Sequence, residues 1–137
     1  MELTVTACFV QVRDADEALI FYRDVLGLDL RNDVADGDSR WITVGSPLQP
    51  GVGIVLTNHV NGGPGDGDAM ASLLAKGALN GVNFRTDDLD AMFARVVERG
   101  AEVVQEPMDQ FWGTRDFAVR DPAGNVVRID QMPSVLP

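Results

Sequence analysis

Few side chains in this 137-residue chain are equipped for acid–base or nucleophilic chemistry. His59 is the only histidine and Cys8 the only cysteine. His59 ends a strand-like run, residues 52–59, beside Gly62 and Gly63. An imidazole titrates near neutrality and suits a general base. A solvent-exposed histidine at a loop edge is the alternative. Cys8 alternates with Val10 and Val12, which places it under a helix as inert packing. Glu106, ahead of Pro107, is a proton acceptor if buried and an ordinary strand-end carboxylate if not. Gly62-Gly-Pro-Gly-Asp-Gly67 lacks both a lysine and a Ser or Thr opening a helix, so it reads as a linker rather than a phosphate loop.

Binding chemistry is better supplied. Phe9, Trp41, Phe111 and Trp112 offer flat apolar walls for an aromatic ligand, with core packing as the alternative for each. Phe111 and Trp112 share a loop with Asp109, Gln110 and Arg115. Two large aromatics in a polar loop read as the rim or lid of a cleft. Arg128 carries a donor fork suited to a carboxylate or other ligand oxygen. It equally suits an internal pair with Asp130, Glu106 or another buried acid. Gln11, Asn83 and Arg85 add polar handles at the mouth.

These residues need elements to hold them, and the pattern supplies the same set twice. Residues 3–12 are rich in β-branched and aromatic types and read as a strand. Asp14 stands as an N-cap with Glu17 three residues on, and Ala18, Phe21, Tyr22 and Val25 form one helical face. Gly27 stops the helix. Residues 79–86 read as a second such strand. Asp87 is the expected cap with Asp90 following, Leu89, Met92, Phe93 and Val96 form the stripe, and Gly100 stops it. Asp14/Asp87, Glu17/Asp90 and Gly27/Gly100 are each 73 residues apart, which points to an internal duplication. Three strand-like runs follow each helix: 28–34, 39–45 and 52–59, then 101–105, 114–120 and 125–131. The order is βαβββ twice, with modules at 3–59 and 79–131 and a Gly-rich linker, 60–78, holding a short helix from Asp68 to Lys76. Alternation along the strands gives each an apolar face for a helix and a mixed face open to a ligand.

Composition narrows the partners. The chain carries 11 basic and 21 acidic residues, net −10, with an apolar fraction of 45%. Such a surface disfavours nucleic acid and anionic membranes; it permits a cationic ligand, and the alternative is that the acidity only keeps the protein in solution. The longest apolar run, Gly51 to Leu56, is far below the roughly 20 residues of a membrane span. A lone cysteine makes no internal disulfide. With no basic-then-apolar leader at its start, the chain is expected in the cytoplasm.

Val12-Arg-Asp14, Phe21-Tyr-Arg-Asp-Val-Leu-Gly-Leu28 and Val119-Arg-Asp-Pro-Ala-Gly-Asn-Val-Val-Arg-Ile129 resemble the vicinal oxygen chelate superfamily. That group includes glyoxalase I, bleomycin-resistance proteins and extradiol dioxygenases, and the resemblance covers about residues 3–131. It implies an α+β fold of two βαβββ modules, a curled eight-stranded mixed sheet around a cavity, and a homodimer. Catalytic members of the family hold a divalent metal at strand positions that here fall on Ala7, Val55, Gly81 and Arg128. None of these side chains ligates a metal, and Arg is a permanent cation. The resemblance therefore implies a small-molecule-binding member with no metal and no other cofactor, sequestering an aromatic or cationic drug-like compound in the manner of a bleomycin-resistance protein. The alternative is a lyase, isomerase or oxygenase working through His59, Glu106 or Arg128, or through metal at a displaced site. The ligand itself, and whether one chain or an exchanged pair completes the cup, stay open at this level.

Overall fold

Asp14 opens the first helix as its side chain demands: the carboxylate accepts from the Glu17 backbone N–H at 3.1 Å. The structure is a computed structural model that describes residues 1–133. Strand β1 (Ala7–Gln11) precedes helix α1 (Ala15–Leu19), which widens into a π-helical stretch over Ile20–Val25. There the Leu26 N–H reaches back five residues to the Phe21 carbonyl at 3.0 Å. The stripe read from the sequence is buried throughout, at Ala18, Phe21, Tyr22 and Val25. Gly27 adopts φ 87° and Gly100 φ 85°, the left-handed helix stop that only glycine reaches without strain.

Strands β2 (Asp29–Asp36), β3 (Ser39–Gly45) and β4 (Gly53–Thr57) complete the first module. Helix α2 (Asp66–Ala75) follows, two residues earlier than expected. The second module is β5 (Asn80–Thr86), α3 (Leu89–Glu98), β6 (Glu102–Asp109), β7 (Arg115–Arg120) and β8 (Val126–Gln131). Its helix is capped by Asp88, not Asp87: the Asp88 carboxylate accepts from the Ala91 N–H at 3.1 Å. Residue 87 instead offers its backbone carbonyl to the Gln131 side chain. The two glycine stops keep the 73-residue offset, while the caps are 74 residues apart.

The fold is α+β. The eight strands form two mixed sheets of four, ordered β1-β4-β3-β2 and β5-β8-β7-β6. In each, the first strand runs parallel to the last and the other pairs are antiparallel. One apolar core spans both modules, joining Val10, Val12, Phe21, Tyr22, Ile42 and Leu56 to Leu89, Val96, Phe117, Val127 and Ile129. Cys8 departs from the expectation. It shares the face of Val10 and Val12, yet it is exposed. It sits near the start of an edge strand, and the cover that hides Val10 and Val12 does not reach it.

Polar contacts lock the modules together. Tyr22 donates its hydroxyl hydrogen to Asp121 Oδ2 at 2.8 Å, in the buried interior. Asp121 Oδ1 accepts from the backbone N–H groups of Ala123, Gly124 and Asn125 at 2.9–3.0 Å. Asn125 Nδ2 donates to Asp121 and to the Gln11 carbonyl. The Asp-Pro-Ala-Gly-Asn segment is thus a turn that welds β8 to the first module. Arg95 and Arg99 donate to the carbonyls of Asp24 and Val25, satisfying the end of the first helical segment. No helix among the described residues is long and apolar enough to cross a membrane.

Candidate functional site

Strand register decides which side chains share a face. On the mixed face of the second sheet, one row holds Arg85, Asp130 and Asp116, paired across β5, β8 and β7. The next holds Asn83, Arg128, Ala118 and Gln105, across β5 to β6. Arg128 NH1 lies 3.2 Å from Asp116 Oδ2 and donates to Gln105 Oε1 at 2.9 Å. Of the internal partners open to Arg128, Asp130 and Glu106 are therefore not used, and another buried acid is. Asp116 is fully buried (0% exposed) and takes two more hydrogen bonds on Oδ1, from Gln105 Nε2 at 3.0 Å and Gln110 Nε2 at 2.9 Å. These donors and the Arg128 charge hold its pKa below the ordinary range, although burial acts the other way. Asp116, Gln105 and Asp130 as a unit were not singled out from the sequence. The available signal was parity: residue 116 lies two before Ala118, the partner of Arg128.

Gln110 links this floor to the aromatic loop. Its side chain binds Gln105 and Asp116, while its backbone N–H donates to the Thr114 carbonyl at 2.7 Å. Phe111 and Trp112 project from the loop, 96% and 55% exposed, stacked edge-to-face with ring centres 4.8 Å apart. Both lie outside the core. Arg115 does not join them at the mixed face. It alternates with Phe117 and Val119 toward α3, and its guanidinium lies near Asp90 and Asp109 at 3.9 and 3.6 Å.

The mixed face of the first sheet has a different character. Phe9 is 69% exposed beside Val55, which pairs with it and with Thr43. Trp41 is half-buried, pairs with Thr57 and Val34, and its ring lies 5.3 Å from that of His59. His59 is exposed, with Nδ1 3.5 Å from Ser39 Oγ. Glu106 is exposed on β6, the outermost strand of the other sheet. His59 lies two residues beyond the end of β4, and the two acid–base candidates belong to different modules. Gln11 is half-buried and engaged through its carbonyl, and Asn83 and Arg85 are exposed.

Cavities of about 560 and 260 Å³ lie elsewhere, and of the candidate site residues only Gln11 lines one of them, the smaller. The larger runs between Arg13, Ile20, Phe21, Arg99, Glu102 and Pro122. The smaller lies under α2, near Met70 and Leu74. Neither is lined by Trp112 or Arg128.

Residues 4–129 match the family model of the Glyoxalase/Bleomycin resistance protein/Dioxygenase superfamily. The chain belongs to this superfamily. The uncharacterized protein YurT of Bacillus subtilis (strain 168) is 34% identical over 133 residues, covering 96% of this chain and 99% of YurT. Among solved structures, UcmS2 is 29% identical with a TM-score of 0.84, over 96% of this chain and 100% of that one. TnmS3, an antibiotic-binding protein from Streptomyces sp. CB03234, is 32% identical with a TM-score of 0.74, over 96% and 98%.

The metal of catalytic superfamily members does not fit the residues at the positions the resemblance assigns to it. Ala7 and Val55 have no donor atoms. Arg128 brings a guanidinium already seated on Asp116. At Gly81 the obstacle is the backbone: a Cβ placed there would meet the Val126 carbonyl oxygen at 2.5 Å, so no ligating side chain is accommodated without moving β8. Among the described residues, no three His, Cys, Asp or Glu side chains come together in a metal-binding group.

Proposed function

We propose that the chain is a small-molecule-binding member of the superfamily that sequesters an aromatic, drug-like compound by stacking and hydrogen bonding, without a metal. The exposure of Phe9, Phe111 and Trp112 carries this reading, because each borders a strand face that is only partly covered. Isolated exposed aromatics need no explanation, whereas several flanking an ordered polar floor mark a binding surface. The likeness to TnmS3, an antibiotic-binding protein, supports the same ligand class. The reading includes a homodimer, which the superfamily resemblance implies. In it the aromatic face of one copy stands opposite the ion-paired face of the other. The lone cysteine is compatible with a cytoplasmic setting.

Tryptophan fluorescence titration with a panel of aromatic and DNA-cleaving antibiotics tests the proposal. A bound compound should lose about tenfold or more in affinity in Trp112→Ala, the range of a central aromatic anchor. Equal binding by the variant removes Trp112 from the site. Sedimentation of the free and liganded protein as a monomer would overturn the dimer.

A further inference from the structure

Strands β6 and β7 part after the Asp109–Arg115 pair, and residues 110–114 form the arm that carries Phe111 and Trp112. The arm closes on itself through the backbone. The Gln110 N–H donates to the Thr114 carbonyl and the Gly113 N–H to the Gln110 carbonyl at 3.0 Å, with Gly113 at φ 94°. Neither ring is anchored in the core. Among the described residues, the side-chain hydrogen bonds of residues 110–114 all come from one group, the Gln110 amide. Its nitrogen donates to Asp116 Oδ1 at 2.9 Å and to Gln105 Oε1 at 3.1 Å. The direction of these bonds is set from the far side of the network. Arg128 can only donate, and an ionised Asp116 can only accept. Gln105 must therefore turn its oxygen to Arg128 and its nitrogen to Asp116, which leaves that oxygen and Asp116 Oδ1 as two acceptors for Gln110. On the other side of the arm's base, Arg115 lies 3.6 Å from Asp109 and 3.9 Å from Asp90, exposed pairs that fix little.

We propose that Gln110 is a positioning residue: its amide ties the aromatic arm to the Arg128–Asp116 floor and so presets where Phe111 and Trp112 stand for a ligand. The inference rests on the binding reading above and adds how its ring-holding part is kept in place. An arm held in one stance has already lost the freedom that a loose one gives up on binding, so the tether is felt as affinity although Gln110 need not touch the ligand. Asp116 is fully buried, and a buried acceptor is costly to leave short of a donor, which favours the tethered stance.

The tether is read without a ligand. In a Trp41→Phe background Trp112 is the sole tryptophan, and acrylamide quenching and fluorescence anisotropy report its stance alone. Gln110→Leu removes the donor and keeps an apolar side chain of similar bulk. Gln110→Glu keeps the shape and sets a carboxylate against Asp116. Both should raise the quenching of Trp112 and lower its anisotropy, with a cooperative urea transition showing that each variant is folded. Calorimetric titration with 1-naphthylmethylamine and 1-naphthylmethanol should find both probes about fivefold weaker on Gln110→Leu than on the wild type, the cost of ordering two freed rings. If Trp112 stays as shielded and as rigid in Gln110→Leu, the tether is overturned. It is overturned too if Gln110→Glu holds the arm, since shape rather than the amide donor would then fix it. A loosened arm with unchanged affinity overturns the positioning role. If the wild type binds neither probe while Gln110→Leu loosens the arm, the binding reading falls and the tether stands.

Discussion

The two modules share one order of elements and solve the same problems with opposite chemistry. The open face of the first sheet is apolar and aromatic, built from Phe9, Val55, Trp41 and Thr43. That of the second is an ion-paired lattice around Asp116 and Arg128. The connection before each module's last strand repeats the contrast. In the first, Arg31 donates to the carbonyls of Ser46, Gln49 and Val52 at 2.6–3.0 Å. In the second, Asp121 accepts from three backbone N–H groups. A duplicated frame thus leaves its loops and open faces free to diverge, because the helix stripes and the buried strand faces carry the fold. In the proposed homodimer it would set unlike walls against each other, one for rings and one for polar atoms.

The sharpest way to break this comparison is at the turns. Asp121 is buried and serves Tyr22, Asn125 and three amides, so Asp121→Ala should cost about 3–5 kcal/mol of unfolding free energy. Arg31 is exposed and its carbonyl partners reach water when it is lost, so Arg31→Ala should cost about 1 kcal/mol. Urea denaturation of both variants measures the difference. Equal losses would mean that the two turns carry equal weight and that the weld between modules lies elsewhere.

The open faces give the next effect. Removing the guanidinium in Arg128→Met leaves Asp116 buried with only its two glutamine donors, a loss of about 2 kcal/mol given the partial exposure of the pair. Asp116→Asn in the same background should recover part of that loss, since the uncompensated charge goes with it. A single variant as stable as the wild type would show that the lattice is ligand-facing polarity rather than structure.

The helix stripes, Asp14, Gly27 and Gly100 were legible because each is a local rule: burial period, cap geometry, left-handed stop. The partner of Arg128 was not. It depends on how β6, β7 and β8 slide past one another, including irregularities between Val103 and Gln105 and between Gln105 and Met108, and no local pattern encodes a register. Cys8 failed for a related reason: alternation names the face of a residue but not how far the cover over that face extends. The positions at Ala7, Val55, Gly81 and Arg128 came from the resemblance to the family rather than from any local rule. The close approach of Val126 to Gly81 belongs to the paired strands alone.

A smaller effect sits where the modules meet. Burial, and after it the charge of Asp121, hold the Tyr22 phenol well above its ordinary range. An unfolded tyrosine ionises near about pH 10. The folded state keeps its proton longer, so this contribution is complete below about pH 10 and is lost as pH rises beyond it. Tyr22 is the only tyrosine in the chain, so tyrosinate absorbance reports it alone. Absorbance should appear together with unfolding rather than before it. Tyr22→Phe should cost about 1 kcal/mol at neutral pH and flatten the alkaline fall. Absorbance rising in the folded protein would mean that the hydroxyl is open to solvent.

The smallest stability change is expected at Phe9, and that makes it the cleanest probe of the contrast between faces. Its ring is 69% exposed, so Phe9→Ala should shift unfolding by no more than about 0.5 kcal/mol. If the first sheet is the ring-stacking wall, the same variant should weaken 1-naphthylmethylamine and 1-naphthylmethanol alike, since stacking does not read their charge. Arg128→Met, which removes a charge from the second face, should instead separate the two probes. Binding losses that follow the ring in one module and the charge in the other would show that the walls divide the ligand between them. A loss in Phe9→Ala that depends on probe charge would mean that both faces act on the same part of the ligand, and the division of labour between the modules would go.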